Sequence, residues 1–314
     1  MSDPNKKTRG IVYILIIPEG NHRDQLEIES QFRLSKMIRE LCRSQSEVHR
    51  FGDLPITLIT NLDYPFLPHL NVIKVSKPNV EELSANPVKL PRGIPLHHVY
   101  GNGFKIKMLS LSPYDQTIYL DLDTFILSQF TELFDYLKYS DLAIPVNGQI
   151  DSKPWVENSV IPIHTMYDTG VFAYNNNDNV KALFNCWFNR YKYMLKNYHK
   201  HVCIHSAFTE ALLFSNNVRA LPVSENYNLR TNKIGPLRID GTVKIVHDRT
   251  ASDMFLSEIN KSLSPRIISG MERLEKNDTN NKVIWPAKQL NQLEACLWSE
   301  TYLKDFETFS RFED

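Results

Sequence analysis

Thr117-Ile118-Tyr119-Leu120-Asp121-Leu122-Asp123-Thr124 decides how this chain is read. Residues suited to a pleated, buried strand run straight into two carboxylates at i and i+2. In extended backbone, residues two apart point to the same side. Two carboxylates on one side at a strand's C-terminal end form a hard-cation site. Mg²⁺ or Mn²⁺ fits it, with water or phosphate oxygen filling the remaining positions. Ligands of open α/β sheets sit beyond the carboxyl ends of the strands, so position and chemistry agree. Two acids at the end of a buried strand are also costly to desolvate unless a cation or hydrogen-bond donors compensate.

Working outward, Ile11-Val12-Tyr13-Ile14-Leu15-Ile16-Ile17 is a continuous apolar run that stops at Pro18-Glu19-Gly20. Such a run reads as a strand covered on both faces, the habit of parallel sheets. The segment 24–43 repeats its apolar residues at helical spacing. Strands are expected at 56–60 and 72–75. The Pro-rich stretch 77–100 reads as a long loop, and a short helix is expected over 104–111. Further strands are expected at 141–145, 170–174, 218–222 and 242–246, with helices over 180–195 and 206–214. Alternation of this kind predicts an α/β fold, a mostly parallel twisted central sheet flanked by helices. Residues 1–9 read as a polar tail, 10–266 as one domain, and 267–314 as a C-terminal extension with a helix over 290–302.

Composition narrows the function classes. The 314 residues carry 36 basic and 36 acidic side chains, and this balance argues against a general nucleic-acid binder. With 42% hydrophobic residues, 14 Tyr and 16 Phe, a sizeable core is available. None of Cys42, Cys186, Cys203 and Cys296 stands at CxxC spacing, so free thiols are expected rather than a zinc or redox site. The start, Met1 to Arg9, does not read as a signal peptide, and no run approaches the ~18 apolar residues of a membrane span. Together with reduced thiols, this gives the expectation of a cytoplasmic protein without a transmembrane segment.

Three further places carry chemistry. His247, in Val246-His247-Asp248-Arg249, again ends a strand, and it would complete one face of an octahedron beside Asp121 and Asp123. In Tyr167-Asp168-Thr169-Gly170, Gly170 permits a bound donor to approach the backbone closely and Asp168 would accept hydrogen bonds from sugar hydroxyls. Glu210 lies on an expected helix, where it would bind an acceptor or stabilise developing positive charge.

The ordered set Tyr119-Leu120-Asp121-Leu122-Asp123, Tyr167-Asp168-Thr169-Gly170, Thr209-Glu210, Leu221-Pro222, Tyr227-Asn228 and Val246-His247 resembles the glycosyltransferase A fold, and within it glycosyltransferase family 8. The resemblance spans about residues 100 to 250. It implies a single nucleotide-diphospho-sugar transferase domain that takes a sugar from a donor such as a UDP-sugar. Mn²⁺ or Mg²⁺ would bridge the donor's diphosphate. Asp123 would chelate the metal directly, Asp121 would contact metal or ribose, and His247 would be the third ligand. A basic residue on the helix before the motif is expected at the donor, Lys107 in first place and Lys105 next. Ile17 would lie near the nucleoside. The sequence departs from family 8 at Asp168, where Asn is usual, and at Thr209-Glu210, where an Asp-Gln pair is usual. The Gly-x-x-Lys-Pro-Trp ending after His is also absent, and Arg249 would supply the missing charge for the diphosphate.

The acceptor under this reading is a hydroxyl of a glycan, protein or small molecule, and a homodimer is compatible with it. Asp168 or Glu210 would serve as base if the transfer inverts configuration. Two rivals share features of the sequence. A phosphohydrolase of the haloacid dehalogenase type also uses a strand-borne DxD, but it normally has Thr or Val where this chain has Phe125. A catalytically inactive nucleotide-sugar or glycan-binding protein would keep the fold without the turnover.

Overall fold

In the computed structural model, β1 (Arg9–Leu15) forms the spine of the larger sheet, and Ile11 to Leu15 are buried along it. The structure describes residues 7–17, 23–63, 70–76, 80–83, 96–147, 166–197, 203–230, 235–248, 251, 253–270 and 283–285. The chain falls into two compact units, residues 1–229 with 244–249, and residues 230–243 with 250–314.

In the first unit, β1 is followed by helix α1 (Arg23–Phe51), then β2 (Ile56–Thr60), β3 (Asn71–Lys74) and α2 (Leu96–Met108). Next come β4 (Gln116–Leu120), β5 (Thr124–Ile126), the short α3 (Leu133–Tyr136), β6 (Leu142–Asn147), β7 (Met166–Tyr167) and β8 (Val171–Asn175). Helices α4 (Asp178–Asn197) and α5 (Ile204–Leu213) precede β9 (Ala220–Val223). The eight-stranded sheet runs β3-β2-β1-β4-β8-β6-β7, with β9 beside β6. It is mostly parallel: β3, β2, β1 and β4 pair in parallel, as do β6 and β9, while β8 and β7 run antiparallel to their neighbours. The expected α/β architecture is therefore the observed one.

Period-two alternation decides which side chain meets which layer. Val12, Ile14, Tyr119, Phe172 and Tyr174 pack in one apolar cluster with residues of α2, α4 and α5. Their neighbours Ile11, Tyr13, Leu15, Ile118, Leu120, Val171 and Ala173 pack in a second cluster with residues of α1 and α3. Both faces of the central strands are covered, and this is why β1 and β4 read as unbroken apolar runs rather than alternating ones.

The Pro-rich stretch expected to be loop is already helical from Leu96, so α2 begins well before residue 104. Residues 84–95 lie outside the described residues. Cys42, Cys186 and Cys203 are unpaired thiols, and Cys296 is outside the described residues. No described helix is long and apolar enough to cross a membrane.

In the second unit, β10 (Gly235–Ile239), β12 (Arg266–Gly270) and β13 (Val283–Trp285) form a three-stranded antiparallel sheet. Helix α6 (Asp253–Glu258) belongs to the same unit. Strand β11 (Ile245–His247) returns to the first unit. The helix expected over 290–302 lies outside the described residues.

Candidate metal centre

Asp121 and Asp123 follow β4 directly, but not in extended backbone. Leu122 and Asp123 form a turn between β4 and β5, and the Thr124 hydroxyl closes it by donating to the Asp121 carbonyl at 2.8 Å. Leu122 is buried in the second apolar cluster, so the turn is anchored by its middle residue. The two carboxylates converge because the chain turns, not because of strand alternation. Strand β5 then pairs antiparallel with β11, setting His247 opposite Thr124.

That pairing assembles the site. Asp121, Asp123 and His247 each offer one ligand atom, and the three atoms lie within 4.8 Å of one another. His247 Nε2 is 3.1 Å from Asp123 Oδ1 and 3.5 Å from Asp121 Oδ2. The imidazole is only 2% exposed. Its Nδ1 is 2.9 Å from Asn228 Oδ1. An amide oxygen only accepts, so a ring that donates Nδ1–H to Asn228 and carries no second proton turns its Nε2 lone pair toward the two carboxylates. Nitrogen and oxygen acceptors converging in this way fit a hard or borderline divalent cation such as Mn²⁺ or Mg²⁺.

Asp121 is fixed from its other side. Its Oδ1 accepts from the Tyr119 hydroxyl and from Lys105 Nζ at 2.8 Å. Oδ2 is the oxygen turned toward His247. Burial pushes the Tyr119 phenol well above its ordinary pKa, and the Asp121 charge raises it further, so Tyr119 stays a donor. Lys105 Nζ also lies 5.1 Å from the Tyr119 ring centroid.

The turn is clamped by α1. Arg43 donates to the Thr124 carbonyl at 2.8 Å and stands 3.5 Å from the Phe125 ring centroid. Glu47 accepts from the Ile126 N–H at 2.7 Å. Burial raises the Glu47 pKa, and this hydrogen bond counteracts the rise.

Gly170 begins the approach to β8, and its carbonyl accepts from the Asp121 N–H at 2.8 Å. A Cβ here would stand 2.0 Å from His247 Cε1 and 3.1 Å from Asp121 Oδ2. The close approach that requires glycine is therefore made by the imidazole. Asp168 is buried, accepts from the Gly170 N–H at 3.1 Å, and lies 3.8 Å from His205 Nδ1. His205 Nδ1 in turn accepts from the Thr169 N–H at 3.1 Å.

The remaining expected residues sit as follows. Ile17, two residues past β1, exchanges backbone hydrogen bonds with the Asn61 side chain at 3.0 and 2.7 Å. Lys107 is exposed and pairs with Glu82 at 2.6 Å, so it is Lys105 that reaches Asp121. Glu210 is buried on α5 and is held by Arg190, with Oε1 lacking a hydrogen-bond partner among the described residues. Arg249 lies outside the described residues. Asn228, Arg43 and Glu47 were not singled out by the sequence for their roles. An N-terminal helix and a Tyr-Asn pair carry no local mark of what they will hold.

The two lysines give a contrasting prediction. Lys105→Met leaves the buried side of Asp121 with one donor fewer and should destabilise the metal-free protein by about 1–3 kcal/mol. Lys107→Met removes only an exposed pair, worth about 0–1 kcal/mol. Denaturant melts in EDTA would check this, and equal effects of the two substitutions would contradict the placement of Lys105.

No protein-family model matches the sequence, and no curated protein matches it. In three dimensions the chain is similar to mouse xyloside xylosyltransferase 1 in its apo form, at 14% identity and a TM-score of 0.44, over 77% of this chain and 98% of that one. It is also similar to the galactosyltransferase LgtC in complex with donor and acceptor sugar analogues, at 14% identity and a TM-score of 0.47, over 81% of this chain and 96% of that one.

Proposed function

We propose that this chain is a metal-dependent glycosyltransferase that moves a sugar from a nucleoside-diphosphate donor, a UDP-sugar in first place, to a hydroxyl acceptor. The reading is carried by the convergence of Asp121, Asp123 and His247 at the carboxyl end of β4. There, Asp121 Oδ2, Asp123 Oδ1 and His247 Nε2 would hold Mn²⁺ or Mg²⁺. Once bound, the cation would supply Lewis-acid stabilisation of the charge that builds on the leaving diphosphate.

The chain's own residues prepare that chemistry. Tyr119 and Lys105 occupy Asp121 Oδ1 and leave Oδ2 for the cation. The positive charge of Lys105 partly offsets the two carboxylates, so a divalent ion makes the centre net positive and suited to a diphosphate. In the parallel half of the sheet, β1 and β4 end on the same edge, and Ile17 marks the nucleoside side of the cleft under this reading. Asp168 is oriented by the Gly170 N–H and would bind sugar hydroxyls. Glu210, held by Arg190, would stabilise positive charge at the anomeric carbon. Arg249 would add charge for the diphosphate, and residues 10–266 would carry the activity.

The test is a donor screen. Purified protein is offered a panel of nucleotide sugars with Mn²⁺ or EDTA, and free nucleoside diphosphate is measured. Release from one donor, abolished by EDTA, is the expected result and identifies the sugar. Donor binding without turnover across a wide acceptor panel would favour an inactive binding protein instead. The absence of release from every donor, together with the absence of metal-dependent binding, would end the transferase reading.

A further inference from the structure

Asn228 is 3% exposed, yet only half of its amide is used. Its Oδ1 faces His247 Nδ1 at 2.9 Å, and its Nδ2 has no hydrogen-bond partner among the described residues. A residue placed there only to pack would be apolar, because burying an unsatisfied amide N–H₂ is unfavourable. The backbone around it is tightly set. The Asn228 N–H donates to Glu225 O at 2.9 Å, the next residue, Leu229, donates to Ile245 O at 2.9 Å, and the His247 N–H donates to Leu229 O at 2.8 Å. The main chain of His247 is thus tied to Leu229 and its imidazole to the adjacent Asn228.

Resting on the metal reading above, we propose that Asn228 is the positioning residue of the centre, fixing the His247 proton on Nδ1 so that Nε2 is kept as a ligand atom. Two neutral tautomers compete in this pocket. With the proton on Nδ1, the ring donates to Asn228 Oδ1. With the proton on Nε2, it donates to Asp123 Oδ1 at 3.1 Å, and both atoms are then withdrawn from a cation. Nothing about the imidazole alone prefers the first state, and the amide oxygen of Asn228 does. Partners of this kind orient a metal-binding histidine and raise its basicity.

The test is Mn²⁺ titration of the full chain, followed by the electron paramagnetic resonance of free Mn²⁺, for wild type, Asn228→Leu, Asn228→Asp and Asp123→Ala. Asn228→Leu keeps the volume but loses the acceptor and should weaken Mn²⁺ binding by about 10–100-fold. Asn228→Asp should bind at least as tightly as wild type, because a carboxylate accepts the same proton and adds negative charge. The metal-free melting temperature of Asn228→Asp should stay near that of wild type, which separates positioning from a general loss of structure. Wild-type affinity in Asn228→Leu, or loss of binding in Asn228→Asp, would overturn the proposal. The second outcome is decisive even if the leucine variant does not fold. Binding that Asp123→Ala abolishes while Asn228→Leu leaves it intact would sink this inference alone. Binding indifferent to Asp123→Ala would remove the metal reading itself, and this proposal with it.

Discussion

Replacing Asp123 by Ala should abolish metal-dependent sugar transfer while leaving the metal-free fold at least as stable as wild type. The two expectations have opposite signs because, under the proposed function, Asp123 would oppose folding and support activity. Its Oδ1 is one of three acceptor atoms within 4.8 Å of one another, and Asp121 contributes a second carboxylate to that cluster. Without a cation, two negative charges share one small volume, with Lys105 as the nearby counter-charge on Asp121. Removing one carboxylate relieves repulsion. With a cation, the same carboxylate would be a direct ligand. Losing an indirect partner of a metal ligand costs about 10–100-fold in affinity, so losing the ligand itself should cost at least about 100-fold. Lewis-acid stabilisation is worth several kcal/mol in the transition state, and at about 1.4 kcal/mol per tenfold this corresponds to a rate loss on the order of 10³.

A thermal melt separates the two effects. Saturating Mn²⁺ at about 100 times its dissociation constant should stabilise wild type by about 2.7 kcal/mol, and Asp123→Ala should show no such gain at the same concentration. In EDTA the variant should melt no earlier than wild type. An Asp123→Ala protein that retains Mn²⁺-dependent activity would remove Asp123 from the centre. One that melts far below wild type in EDTA would make the carboxylate a structural residue.

How much of this could be read in advance follows from what sets each feature. Strands β1 and β4 were legible because both faces are buried, and double burial writes itself as a continuous apolar run. Asp121, Asp123 and His247 were legible because each comes straight after or at the end of such a run. The turn at Leu122 and Asp123 was not. Leu122 is apolar and packs with Ile118 and Leu120, as a further strand residue would, and only the bond from the Thr124 hydroxyl to the Asp121 carbonyl marks the bend. Lys105 and Lys107 are two positions apart on α2, about 200° around the helix axis. Either could face the motif until the packing of α2 on the sheet is known. Strands β12 and β13 were not anticipated, since each is short and polar residues 275–282 separate them. Asn228 stands in a recognisable pair, but its partner is 19 residues away and no spacing rule connects them.

Gly170→Ala should damage the centre without replacing any of the residues proposed as ligands. The glycine is not required for its dihedral angles. Among the described residues Gly241 is the glycine with positive φ, and its surroundings are open. What Gly170 provides is space: a Cβ would lie 2.0 Å from His247 Cε1 and 2.2 Å from Nδ1. Real contacts do not come so close, and the obstacle is a buried ring rather than the end of a flexible chain. One side must therefore move. The backbone side resists, because the Gly170 carbonyl takes the Asp121 N–H at 2.8 Å and Val171 opposite Leu120 starts the β4–β8 pairing. The imidazole side resists as well, since its Nδ1 is hydrogen-bonded to Asn228 and its backbone is paired with Thr124. Either displacement pulls His247 Nε2 away from the carboxylates. Overpacking of this kind costs about 1–3 kcal/mol. Mn²⁺ affinity should fall together with stability, by at least the ~10-fold seen when a histidine ligand loses its orientation. Gly101→Ala on α2 is the matched control. A Cβ there meets nothing within 4 Å, so the substitution should stabilise the helix by about 0.5–1 kcal/mol and leave Mn²⁺ binding unchanged. If Gly170→Ala binds Mn²⁺ like wild type, the imidazole does not need the position it holds here, and His247 is not a ligand. If it binds weakly while Gly101→Ala binds normally, the space left by one missing methyl group is part of the centre.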